Sequence, residues 1–113
     1  RYAGLRVPSE IQAMRHVDFD ADRRRIKILD LKRKTSREVP WFAELRGLSI
    51  DRHSTELVFP TLADLPASTI SSMFARAIDK CKIARWPKLW HSLRATRETE
   101  LATEFGLKAA SLW

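Results

Sequence analysis

Between residues 67 and 81 the apolar positions Ile70, Met73, Phe74, Ala77, Ile78 and Cys81 recur at helical spacing. They form the clearest amphipathic stripe in the chain. Ser68 is the expected cap of this helix, and core packing is the plain reason for its stripe, with Cys81 as a small hydrophobe within it. A second helix follows "ARWPKLW". At about 100° per residue, His91, Arg94 and Glu98 share an arc with Ala95, Leu101, Ala102 and Phe105, while Thr96, Thr99, Glu100, Thr103 and Glu104 lie opposite with only Leu93 apolar. The ionisable cluster is therefore expected to face inward. Gly106 stops this helix before a further turn in "LKAASLW".

The N-terminal half is patterned differently. "VPSEIQAMRHV" predicts a short helix, with Pro8 at its first position and Ile11, Met14 and Val17 on one stripe, ending near the turn-rich "DFDADR". "RIKILDL" alternates imperfectly, but its β-branched content favours a strand with "REVPWF" as partner and "KRKTS" as the hairpin tip. "FAELRGL" predicts a helical stretch closed by Gly47, and "SIDRHSTELVFPTLADLPAS" a long irregular connection broken by Pro60 and Pro66. The fold class expected is α+β: one domain, mostly helical, with a small antiparallel β-sheet.

Composition sharpens this picture at three points. With 113 residues and 44% hydrophobic content, the chain can bury one modest core and does not read as a disordered tail. Its 21 Lys plus Arg against 14 Asp plus Glu give a formal net charge of +7, which favours a polyanionic partner. The lone Cys81 excludes an internal disulfide and a cysteine zinc cage, which suits a cytoplasmic protein. No apolar run approaches the roughly 18 residues of a membrane span. The chain opens on Arg1 with neither methionine nor signal peptide, so a piece of a larger protein is expected.

Three basic loci sit at element junctions, where a long side chain can be aimed at a shared cleft: Arg6 before the first helix, Lys34 on the hairpin tip, and His91 with Arg94 at the start of the penultimate helix. Each has a plainer explanation. Arg94 can pair with Glu98 one turn on, and His91 can bond backbone at a helix start. Lys34 can belong to a solvated basic run with Arg23, Arg24, Arg25, Lys27, Lys32, Arg33 and Arg37. Tyr2 is expected in the core, and His16 and His53 at the surface or a helix end. Trp41, Trp86, Trp90 and Trp113 can serve the core, a partner, or both.

Taken in order, these pieces resemble the tyrosine recombinases, the phage-integrase family. "GLRVPSEIQAMRHVDFD" looks like the family's first arginine box, and "KRKTSREVPWFAEL" like its Lys-Thr hairpin with a following short helix. "HSLRATRETELATEFG" looks like its His-x-x-Arg box, with a Gly about a dozen residues on. The resemblance spans nearly the whole chain and implies the central part of a DNA breaking-rejoining catalytic core over residues 1–113. It implies site-specific recombination or integration of double-stranded DNA through a 3′-phosphotyrosyl intermediate, without cofactor or metal, with self-association of the parent protein on DNA.

Carried over by position, Arg6 and Arg94 would clamp non-bridging phosphate oxygens, where phosphoryl transfer needs fixed positive charge. His91 would support proton transfer, Lys34 would protonate the leaving 5′-oxygen, and Glu10 and Thr96 would be supports. Two departures stand out: Glu10 follows Arg6 by four residues where the family has three, and the resemblance puts the nucleophilic tyrosine after Trp113. Tyr2, the single tyrosine, lies on the wrong side of every motif, so this stretch alone is expected to be inactive in cleavage. Arg23, Arg24, Arg25, Lys32, Arg33 and Arg37 are the expected DNA-contacting residues. Two rivals stay open: a non-catalytic DNA-binding module whose basic face positions phosphates, and a small helical interaction domain with incidental charge. The sharpest expectation is geometric: Arg6, His91 and Arg94 should converge on one cleft, with Lys34 farther out on its hairpin.

Overall fold

A computed structural model describes residues 2–111. Four α-helices and three strands follow one another as α1 (Ser9–Ala13), β1 (Phe19–Asp20), β2 (Arg25–Asp30), β3 (Thr35–Pro40), α2 (Ala67–Lys80), α3 (Leu89–Phe105) and α4 (Leu107–Ala110). This is the expected α+β class with a small antiparallel sheet, ordered β1-β2-β3. Among the described residues no helix is long and apolar enough to cross a membrane.

The sheet forms where alternation is strongest. Ile26 and Ile28 point into the core between exposed Arg25 and Lys27, and Val39 lies opposite Ile26 in the register. Ile26, Ile28 and Val39 are the most deeply buried large side chains, and they pack with Ala3, Met14 and Phe19 into one cluster. Phe19 meets Trp41 edge-on at 5.3 Å between ring centroids. Two four-residue turns close the meander, residues 21–24 and 31–34, and each ends on a basic residue in the left-handed region, Arg24 (φ 52°) and Lys34 (φ 54°).

Several local expectations change. "DFDADR" is not turn throughout: Phe19 and Asp20 pair with Ile26 and Arg25 as β1, because a buried Phe19 needs the sheet beside it. The first helix ends at Ala13 rather than Val17, with Met14 buried and Val17 exposed. The hairpin tip is tighter than "KRKTS", since Thr35 and Ser36 already pair in β3. "FAELRGL" makes only a 3-10 turn at Ala43–Leu45, and the long connection adds another at Pro60–Leu62.

The helical half is a second, thinner layer. Helix α2 starts after Pro66 with no side-chain cap, so Ser68 is inside the helix rather than its cap. Only part of its stripe is covered: Ile70 and Ile78 are buried, whereas Met73, Ala77 and Cys81 are exposed. The cause is that α2 packs mainly on α3 and the segment before it, with Phe74 stacked on Trp90 at 4.0 Å and edge-on to Trp86 at 6.2 Å. Cys81, at the C-cap, is thus an exposed free thiol, not a core residue. Along α3 the inward arc is rotated from the expected one. Leu101 is buried, Arg94 and Arg97 are largely covered, and His91 and Phe105 face outward. The opposite arc is solvent-facing at Thr96, Thr99, Thr103 and Glu104, with each threonine hydroxyl donating to the carbonyl four residues back. Gly106 (φ 86°) ends α3 by adopting a conformation costly for other residues.

Candidate functional site

Arg6 lies in the loop that enters α1, fastened to that helix twice. Its N–H donates to Glu10 Oε2 at 2.7 Å, and its carbonyl accepts the Glu10 N–H at 3.0 Å. The four-residue spacing of Arg6 and Glu10 is what one helical turn needs for this lock. The Arg6 guanidinium pairs with Asp30, the last residue of β2, and approaches Glu10 at 3.8 Å. Arg94 comes from the other end of the chain. Its Nε donates to Glu98 Oε1 at 2.9 Å, the pairing expected as the plainer explanation, and its Nη1 donates to the Gly4 carbonyl at 3.0 Å. Gly4 holds φ 59°, a left-handed conformation suited to glycine, and is buried.

These residues border one cleft of about 320 Å³, lined by Arg6, His91 and Arg94 with Ser9, Trp90 and the apolar Leu5 and Val7. The convergence of Arg6, His91 and Arg94 is the expected one. No carboxylate lines this cleft. Glu10, Asp30 and Glu98 pair with the guanidiniums from outside the lining and fix their directions. His91 is exposed and makes no hydrogen bond to backbone, so it is free to meet a ligand. Among the described residues no group of three or more His, Cys, Asp and Glu is placed to hold a metal ion.

Asp30 links the cleft to the hairpin. Its Oδ1 accepts the N–H groups of Lys32 and Arg33 at 3.1 Å. The Arg33 N–H above all, then the Arg6 guanidinium and the Lys32 N–H, hold its carboxyl below the usual range against some desolvation. Lys34 sits beyond it on a neighbouring hollow of about 230 Å³ that Asp30 also borders. It is exposed and outside the Arg6–Arg94 cleft, as expected for a hairpin tip.

The expected DNA-contacting residues divide into two groups and one inward-turned arginine. Arg23, Arg24 and Arg25 lie at the β1–β2 turn, and Lys32 and Arg33 at the opposite end of β2. The six-residue strand separates the two ends by roughly 17 Å. Arg37 joins neither group, which corrects its place among the DNA-contacting residues. It pairs across the sheet with buried Ile28, so its side chain turns inward. There it grips Glu10 with both Nη atoms, at 2.7 and 3.0 Å, and donates to the Gly4 carbonyl at 3.2 Å. The signal was present in the sequence: Arg37 stands two residues before Val39, on the same strand face. The roles of Asp30 and of the Gly4 carbonyl had no such signal, because both depend on contacts between distant segments.

The remaining residues fall as follows. Thr96 bonds its own helix at the Ser92 carbonyl and is exposed. His16 accepts the Asp51 N–H at 3.2 Å, and His53 is exposed. Tyr2 is half-buried rather than fully in the core. Trp113 lies outside the described residues. Comparison with protein-family models, with curated proteins and with solved structures finds no match to this chain.

Proposed function

We propose that the Arg6–His91–Arg94 cleft receives a backbone phosphate of double-stranded DNA, and that the chain is the central part of a tyrosine-recombinase-like catalytic domain. The observation that carries this reading is the convergence of Arg6 and Arg94, from opposite ends of the chain, on one carboxylate-free cleft with His91 at its edge. Two guanidiniums held by carboxylates are preorganised donors for the non-bridging oxygens of a phosphodiester. On this reading His91, at the cleft edge, exchanges a proton at that phosphate, and Lys34, on its exposed turn, reaches the leaving 5′-oxygen once DNA draws the hairpin in. In the full reaction a tyrosine hydroxyl gives its proton to His91 as it attacks phosphorus, the phosphotyrosyl bond forms as the bond to the 5′-oxygen breaks, and that oxygen takes a proton from Lys34. The resemblance puts that tyrosine beyond Trp113.

A second reading is favoured by a specific feature: Arg6 and Arg94 are each already paired with a carboxylate. That arrangement also suits a module that only positions DNA phosphates. One experiment separates the two, a denaturing gel for a covalent protein–DNA band on a nicked suicide duplex. The strand-transfer reading expects a band from a protein extended past Trp113 and its loss in Arg94→Ala. Duplex binding without a band from any extended protein leaves the positioning module. A band from residues 1–113 alone, lost in Tyr2→Phe, would mean that the nucleophile is Tyr2.

A further inference from the structure

The other end of the sheet carries a cleft that the reading above does not use. Of the arginines described, Arg24, Arg25, Arg33 and Arg46 have guanidiniums without an acceptor, whereas the rest are engaged by carboxylates or carbonyls. Two of these four, Arg24 and Arg46, face one hollow of about 270 Å³ with Trp41 and Ala21. Their meeting is built into the fold. Arg24 ends the β1–β2 turn in the left-handed region, and its carbonyl accepts the Trp41 N–H at 2.8 Å, which ties the turn to the chain leaving β3. The 3-10 turn at Ala43–Leu45 then brings Arg46 back toward Trp41.

The nearest carboxylates in sequence do not pair with these two: Glu44, two residues before Arg46, makes no ion pair or hydrogen bond with either among the described residues, and the two that precede Arg24 are turned to other arginines. Asp20 is turned to Arg23 at 3.9 Å and Asp22 to Arg52 at 3.8 Å. The Trp41 indole N–H is buried without an acceptor. We infer that Arg24 and Arg46, which share this hollow with Trp41, form a second anion site, for a phosphate group. Two exposed guanidiniums lining one hollow of this size offer several N–H donors and two charges to one tetrahedral oxyanion, a group that arginine suits. The site stands independently of the Arg6–Arg94 cleft, from which β2 separates its turn.

The test follows the Trp41 indole N–H resonance of the 15N-labelled protein, assigned with Trp41→Phe, during titration with inorganic phosphate. A saturable shift is expected, weakened about tenfold or more in the Arg24→Gln/Arg46→Gln double variant and unchanged in Arg94→Ala. Both substituted side chains are exposed, so a preserved spectrum elsewhere reports an intact fold. No saturable Trp41 shift, or the same shift in the double variant, overturns the site. A parallel titration uses a short duplex without terminal phosphates. Movement of Trp41 with duplex, reversed by salt, supports the site with a nucleic-acid backbone as the source of the phosphate. Movement with inorganic phosphate alone supports it with a small phosphorylated ligand. Because the reporter is Trp41 and the control is Arg94→Ala, failure here is distinct from failure of the DNA strand-transfer reading.

Discussion

The two ends of the three-stranded sheet are built from the same ingredients and finished in opposite ways. Each has a four-residue turn that ends on a left-handed basic residue, and each stands beside a cleft lined by two arginines. At the Lys34 end, the guanidiniums of Arg6, Arg37 and Arg94 are all fixed, and only Arg33, out on the turn, has no acceptor. Asp30 holds Arg6, buried Glu10 holds Arg37, and Glu98 and the Gly4 carbonyl hold Arg94. At the Arg24 end, the turn's backbone is tied down but the guanidiniums of Arg24 and Arg46 are loose. Carboxylates behind an arginine set its direction and reduce its net charge, which suits a site that must place one phosphate accurately. Arginines without such partners keep their full charge and mobility, which suits capture of an anion.

The largest test of this contrast is Glu10→Ala. It would leave Arg37 without its carboxylate in a place where the Glu10 side chain is only 2% exposed. We expect a loss of about 3–5 kcal/mol in denaturant unfolding. Arg46→Ala, at the loose end, should stay within about 0.5 kcal/mol of the parent. Equal effects would show that the two ends are not built differently.

Next in size is Arg94→Ala. It should weaken duplex binding by about 1.5–3 kcal/mol at low salt and lower the steepness of the log affinity against log salt plot by about 0.9. Arg23, Arg24 and Arg25 replaced together by alanine should lower affinity across all sequences alike. Affinity indifferent to ionic strength would point to incidental charge.

Asp30→Asn sharpens the comparison by making the fixed end resemble the loose one. Freed from its carboxylate, Arg6 should bind duplex about threefold more tightly, measured at neutral pH. The acid dependence has a definite sign. Asp30 is held below its ordinary value of 3.8, so its contribution to stability is complete above that value and is lost as pH falls through the lowered one. The Asn variant should lack this component in acid unfolding. The smallest effect belongs to Cys81→Ser. An exposed thiol packs against little, so stability should stay within about 0.5 kcal/mol, and the folded parent should react readily with a thiol reagent. Slow reaction would return Cys81 to the core.

The candidate cleft was more legible in the sequence than its supports. Arg6, His91 and Arg94 lie near element boundaries, and boundaries are visible in Pro8, Gly106 and the change of period. Glu98 was within one helical turn of Arg94, so their pairing was also readable. Asp30 was not, because its partner Arg6 is remote in sequence and a carboxylate at the end of a strand has no local signature. Arg37 was legible and misread: grouped with its basic neighbours, it looked solvated, although its alternation with Val39 turned it inward.

What the chain determined by itself was local: β2 and β3 from their β-branched alternation, α2 and α3 from helical spacing, and the stop at Gly106. These follow from backbone preferences and side-chain periodicity, which act over a few residues. Only the tertiary structure decided which faces were covered. Helix α2 packs mainly along one side, so half of an apparently apolar stripe, including Met73 and Cys81, stays in solvent. Strand β1 exists because Phe19 has a sheet to enter, and the basic run divides because β2 has a length. Burial and ion pairing depend on what stands opposite a residue, and that is set by contacts between segments far apart in the chain.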